Sequence, residues 1–474
     1  MKCALAAIMA AVSIKAASPG AVTGPSSSQS PYVLRSQPGV VTMSVLSVGD
    51  AVNFKSDGIT PYRLAGIPDG LGAFDNGDGT FTLLVNQELG ATAGIVRDHG
   101  FKGAFVSRWV IDKETLTVLH GEDLIKNGFS WDVATKSYVP LKSAFARFCS
   151  ADLPAPGALY DAPTGLGFNG HIFLNGEENG SEGRAFGHLM DGNSYELPYL
   201  GKFSWENSVA NPGSGARTVV AGTDDAGGGQ IYIYVGTKSA SSNPIDAAGL
   251  NGGALFGVKV TGFPDEIAAT GIPSGTPFTL AGLGDVSAKT GATLQTESVA
   301  AQITGFNRPE DASWDPSNPN DLYFVTTASF TGNSRLWRLR FTDITNPELG
   351  GTIDLLLDGA EGQRMFDNMT VNKRGSVLLQ EDVGNNAHLG KIWRYSIAQD
   401  RLEEVAHHDP VRFLTGAANF LTQDEESSGI IPMDDILGAG WYLLDVQAHY
   451  NIGDAELVEG GQIIALHFPP GKDK

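Results

Sequence analysis

A short unit recurs along this chain. An alternating strand leads into a tight Asn/Gly turn, then a strand tipped with carboxylates, another turn and a strand carrying aromatics. The turns are plain in Asp75-Asn76-Gly77-Asp78-Gly79-Thr80, Asn318-Pro319-Asn320-Asp321 and Asn372-Lys373-Arg374-Gly375. The aromatic strands are Gln230-Ile231-Tyr232-Ile233-Tyr234-Val235, Arg335-Leu336-Trp337-Arg338-Leu339 and Lys391-Ile392-Trp393-Arg394-Tyr395. Such a unit cannot bury both faces alone, and stacking copies radially closes a core without long free edges. The sequence therefore predicts an all-β chain folded as a β-propeller with long inserted loops. A pair of β-sandwiches is the rival. Glycine, 60 of 474 residues, stands at nearly twice the usual ~7% and fits many tight turns.

Three of the second strands end alike: Leu83-Leu84-Val85-Asn86-Gln87-Glu88, Ile172-Phe173-Leu174-Asn175-Gly176-Glu177-Glu178 and Val377-Leu378-Leu379-Gln380-Glu381-Asp382. Carboxylates gathered at one point repel each other unless cations sit among them. The pattern predicts a metal centre built by several repeats.

The first 18 residues are expected to form a signal peptide: a basic Met1-Lys2, an apolar Ala4 to Ile14 and a small-residue Ala16-Ala17-Ser18. Residues 19–45, rich in Ser, Pro and Gly, are expected to be a flexible linker, and 46–470 a single propeller domain. Destination is then periplasmic or extracellular. Cys149 would be the one mature cysteine, so no internal disulfide is expected. The formal charge of −21 disfavours nucleic acid and anionic lipid, and no apolar run is long enough for stable membrane insertion. A phosphate ester would be repelled too, unless bound cations invert the local field. Blade count, oligomeric state and natural substrate are not legible.

Motifs narrow the chemistry. No zinc-protease spacing, nucleophile elbow or Walker loop occurs. His407-His408 is expected to be exposed. The residues 239–300 are weakly periodic and read as an excursion or a weak blade. In Gly305-Phe306-Asn307-Arg308-Pro309-Glu310-Asp311 an arginine adjoins two acids, a pairing suited to holding an oxyanion beside a cation. A simple Arg–Glu ion pair is the plain alternative. Glu206, with Asp224 or Asp225, offers part of an oxygen shell for calcium.

Taken together, Asn86-Gln87-Glu88, Gly176-Glu177-Glu178-Asn179, Gly201-Lys202-Phe203-Ser204-Trp205-Glu206, Arg308-Pro309-Glu310, Asp367-Asn368 and Asp445-Val446-Gln447-Ala448-His449 resemble the PhoX-type alkaline phosphatases, secreted β-propellers. The resemblance implies six blades and a phosphomonoesterase with an iron–calcium centre. It implies Arg308 and Glu310 as catalytic residues, Arg308 gripping the phosphoryl oxygens. It implies Glu88, Glu177, Glu178, Glu206, Glu310 and Asp367 as metal ligands. Outside the family motif, Cys149 and Asp224 are additional candidates. The chain departs from the family at three places. Gly176 stands where the family has a cysteine, Trp205 where it has a histidine before the calcium-binding glutamate, and Gln447-Ala448-His449 where it has glutamine–histidine–proline. Glycine gives iron no thiolate, so calcium is the better supported cofactor. The expected function is metal-dependent hydrolysis of small phosphate monoesters. The alternatives are a calcium-dependent hydrolase of another ester, a lactone or phytate, and a non-catalytic calcium-stabilised propeller.

Overall fold

The structure, a computed structural model, describes residues 20–469. The expected signal peptide lies outside them. Six strands line a central channel: Pro68–Asp75, Phe148–Asp152, Trp205–Ala210, Pro309–Trp314, Phe366–Val371 and Glu425–Pro432. Each touches the next, and the last touches the first, so the ring is closed. From each, antiparallel strands run outward, giving six blades. Blades three and four join at their outer edges, where Phe278 pairs with Gly351 and Thr276 with Ile353, and so form one nine-stranded sheet.

The alternating strands bury one face against each neighbouring blade. Six main apolar clusters result, one per junction; Trp205, Tyr232 and Leu174 lie in that between blades two and three, and Trp337, Phe324 and Val219 in that between three and four. The turn at Asn76 is a hairpin as expected, its amide donating to Thr80 O at 3.1 Å. Gly77 and Gly79 there take φ of 78° and 94°, which a residue with a Cβ adopts only with strain.

Two expectations change, and one choice left open is decided. Residues 20–45 are not a tether. Val41–Ser47 pairs antiparallel with Glu459–His467 and completes blade six, Ala21–Thr23 adds to its edge, and Val33–Arg35 extends blade five. Their Ser/Pro-rich composition belongs to the connecting turns, while short alternating runs between them pair. Residues 239–300 supply two strands of blade three, Ala254–Val260 and Thr276–Gly284, and a helix, Gly291–Ala300. His408 is fully buried, with Nε2 2.6 Å from Ser427 Oγ. Among the described residues no helix is long and apolar enough to cross a membrane.

Candidate metal centre

Every blade has the same irregularity between its first two strands. In blade one Pro68 pairs with Gln87 and Leu71 with Val85, so Asp69-Gly70 opposes Asn86 alone. The same two-against-one bulge occurs at Cys149-Ser150, Glu206-Asn207, Glu310-Asp311, Asp367-Asn368 and Ser428-Gly429. A bulge re-aims the side chain of its extra residue. Five of the six carry an acid or a thiol at the first bulge position: Asp69, Cys149, Glu206, Glu310 and Asp367.

A second tier sits just above. In blades one to five the residue after the second strand's last paired residue closes back by its amide onto the residue before the inner strand. Glu88 donates to Ile67 O, Glu178 to Arg147 O, Asp225 to Ser204 O, Thr327 to Arg308 O and Asp382 to Met365 O, all at 2.8–3.0 Å. Four of these acceptor residues, Ile67, Arg147, Arg308 and Met365, have φ between 46° and 61°. A left-handed conformation at such residues costs roughly 1–3 kcal/mol each.

The two tiers converge. Ligand atoms of Asp69, Glu88 and Cys149 lie within 4.8 Å of one another, as do those of Cys149, Glu178 and Glu206, and those of Glu206, Glu310 and Asp367. Cys149 and Glu206 are shared between adjoining groups. The Cys149 thiol donates to Glu206 Oε2 at 2.9 Å and lies 3.5 Å from Asp69 Oδ2. Gln447 Nε2 bridges Asp69 Oδ2 at 3.1 Å and Glu88 Oε2 at 2.9 Å. Arg308 donates through Nε and Nη2 to Asp225, both at 2.9 Å, and through Nη2 to Glu310 Oε1 at 2.7 Å. Arg147 binds Glu178 and reaches Glu88 Oε1 at 2.7 Å.

The electrostatics are those of a site short of positive charge. Burial, then mutual repulsion, holds Asp69, Glu206, Glu310 and Asp367 well above the usual carboxylate range. Burial raises Glu88 to about 8 against the pull of Arg147, and Asp382 to about 7 with repulsion from Glu426. Burial and the surrounding acids likewise push the Cys149 thiol up. Glu206 Oε1 and both oxygens of Asp445, the residue opposing the sixth bulge, are buried without a hydrogen-bond partner among the described residues. Such orphaned acceptors cost stability unless something binds them. Several oxygens at short mutual distance suit calcium, and a thiol among them suits a softer ion such as iron.

Among the residues singled out from sequence, Glu88, Cys149, Glu178, Glu206, Glu310, Asp367 and Arg308 lie in or against this cluster. Two do not. Glu177 turns into blade two, where Arg184 holds it at 2.7 Å and the Ala146 amide donates to it at 3.1 Å. Asp224 accepts from the Ser204 amide at 3.2 Å. Both are paired residues on a strand, so their side chains point away from those of Glu178 and Asp225, which follow them. Sequence reasoning passed over Asp69. The available signal was the inner-strand triplet of a bulky or proline residue, an acid or cysteine, and a small or amide residue, as in Pro68-Asp69-Gly70 and Phe366-Asp367-Asn368.

No family model matches the sequence, and neither does any curated protein. Solved structures do resemble it. Pseudomonas fluorescens PhoX in complex with vanadate, a transition-state analogue, aligns with a TM-score of 0.66 over 91% of this chain and 95% of its own, at 11% identity. A putative 6-phosphogluconolactonase from Bacteroides uniformis aligns at 0.34 over 76% and 94%, at 15% identity. The NanB sialidase of Streptococcus pneumoniae aligns at 0.37 over 90% and 70%, at 8% identity. This chain has a PhoX-like propeller fold.

Proposed function

We propose that this propeller is a metal-dependent hydrolase of phosphate monoesters, exported from the cytoplasm as its first residues suggest. One observation carries the reading: consecutive bulges bring Asp69, Cys149, Glu206, Glu310 and Asp367 together beside Arg308. The fold likeness to a vanadate-bound phosphatase agrees with it.

In this reading Glu206, Glu310 and Asp367 hold one cation, and Cys149 with Asp69, Glu88, Glu178 and Glu206 holds the others. Calcium fits the oxygen-rich groups and iron the groups that include Cys149. Bound cations supply Lewis acidity and neutralise phosphoryl charge. Arg308 binds and orients the phosphoryl group. Its Nε and Nη2 are fixed by Asp225 and Glu310, which leaves Nη1 without a hydrogen-bond partner among the described residues. A guanidinium held in place before substrate arrives loses little freedom on binding and adds charge where it develops.

The test is hydrolysis of a generic aryl phosphate by purified protein, with chelator and with calcium restored, beside elemental analysis of the same sample. Chelator-sensitive turnover is expected. Absence of turnover on phosphate, lactone and phytate alike, with chelator lowering thermal stability, would leave only a calcium-stabilised binding module.

A further inference from the structure

Arg147 and Arg308 occupy one position in two different blades. Each immediately precedes an inner strand, at Phe148–Asp152 and Pro309–Trp314. Each is left-handed, with φ of 47° and 61°. Each receives, through its carbonyl, the closing amide of the second strand: Glu178 at 2.8 Å and Thr327 at 3.0 Å. Each reaches back to the upper-tier acid of the preceding blade. Arg147 of blade two meets Glu88 of blade one at 2.7 Å, and Arg308 of blade four meets Asp225 of blade three at 2.9 Å.

The likeness extends to single atoms. Both guanidiniums are tied down through Nε and Nη2. For Arg147 the Nε partner is Glu178 O at 2.9 Å, and Nη2 goes to the carboxylates of Glu178 and Glu88. For Arg308 they are the carboxylates of Asp225 and Glu310. Neither Nη1 has a hydrogen-bond partner among the described residues. The side chains are 46% and 35% exposed, in a cluster whose carboxylates are nearly all buried.

A run of carboxylates links the two. Arg147 holds Glu178, whose carboxylate groups with Glu206. Glu206 groups in turn with Glu310, which Arg308 holds.

We infer that Arg147 is a second anion-gripping arginine, donating from Nη1 to the phosphoryl oxygens from the other side of the carboxylate cluster from Arg308. The inference rests on the phosphomonoesterase reading and adds a residue to it. Two guanidiniums presented from separate blades would favour a terminal phosphoryl group, with three free oxygens, over a diester with two.

The experiment uses full-length metal-loaded protein and inorganic phosphate as probe. Phosphate affinity is measured by calorimetry for the wild type, Arg147→Gln, Arg147→Lys and Arg308→Gln, with metal content determined on each sample. Arg147→Gln is expected to weaken phosphate about tenfold or more at unchanged metal content and to raise KM for an aryl phosphate. Arg147→Lys should recover part of the loss. Wild-type phosphate affinity in Arg147→Gln would overturn the inference. So would loss of metal from that variant, because Arg147 would then serve only to tether Glu88 and Glu178. A wild type that holds metal yet ignores phosphate would overturn the phosphatase reading itself, and this inference with it.

Discussion

Trp205 fills the space that a side chain at Gly176 would need. A Cβ built on Gly176 would stand 2.3 Å from Trp205 Cβ and 2.5 Å from its Cγ. Gly176 also lies opposite the Cys149-Ser150 bulge on the paired strand. The sulfur in this chain sits across the strand pair, on Cys149. Gly176→Cys alone is expected to destabilise the protein by about 1–3 kcal/mol through overpacking. Gly176→Cys with Trp205→His should recover little of that loss, since histidine keeps the Cβ and Cγ that stand closest to the new side chain. Chemical denaturation of both variants and of Trp205→His closes the cycle; recovery of most of the loss in the double variant would show that the clash lies with the indole ring instead.

Removing Cys149 tests the thiol directly. Cys149→Ser keeps the size of the side chain and replaces a soft donor with a hard one. Iron content is expected to fall to background in this variant while calcium content is retained. The fold should survive, because the thiol's contacts are with Asp69 and Glu206 rather than with the apolar junctions. Unchanged iron by elemental analysis would exclude Cys149 as its ligand.

The architecture was legible in the sequence and the acid geometry only half so. Strand alternation and Asn/Gly turns sufficed for a propeller, because those features are local. Acids at the ends of second strands were visible as a motif, yet adjacent acids such as Glu177-Glu178 point to opposite sides of a strand. Which one faces the channel depends on register, and register depends on a bulge that leaves no period in the sequence. Asp69 was missed for that reason: one acid between Pro68 and Gly70 resembles a turn. The N-terminal strands escaped notice because Val33–Arg35 and Val41–Ser47 pair with chain segments more than 360 residues away.

Stability in the metal-free state is expected to fall as pH rises. Glu88 and Asp382 have folded values of about 8 and about 7, and Asp69, Glu206, Glu310 and Asp367 also lie well above their ordinary range. Between about pH 4, where the unfolded acids titrate, and about pH 8, the folded chain therefore holds more protons than the unfolded one. Stability then declines with pH across that window. A chelated sample should melt at a higher temperature at pH 5.5 than at pH 8, and added calcium should raise the melting temperature more at pH 8. A chelated protein that melts higher at pH 8 would contradict the buried charge described for this site.

Neutralising one shared ligand should separate binding from folding. Glu206 belongs to two of the three groups, and its Oε1 has no partner among the described residues. Glu206→Gln removes an ionisable group without changing shape. At pH 8 the metal-free variant is expected to be more stable than the wild type by about 1–2 kcal/mol, since folding no longer requires a buried carboxyl to take up a proton. Its metal affinity is expected to drop by about a hundredfold or more, a loss at least as large as that from removing an outer-shell partner. Calcium titration followed by thermal shift reads both effects at once, and a variant that binds as the wild type does would remove Glu206 from the centre.

Glu177 is expected to behave in the opposite manner, although it adjoins Glu178 in the chain. It is 3% exposed, bound to Arg184 Nε and Nη2 at 2.7 Å each and to the Ala146 amide. Glu177→Ala strands a half-buried guanidinium and a buried amide, and breaking such a pair costs about 3–5 kcal/mol. The variant should therefore unfold at markedly lower denaturant while keeping wild-type metal stoichiometry in its folded fraction. Glu178→Ala should do the reverse, losing metal with little change in the stability of the chelated protein, because its partner Arg147 is half exposed and can be solvated. Elemental analysis and denaturant midpoints on the two neighbours decide the assignment. A Glu177 variant that loses metal while holding its midpoint would place the wrong side of this strand in the channel.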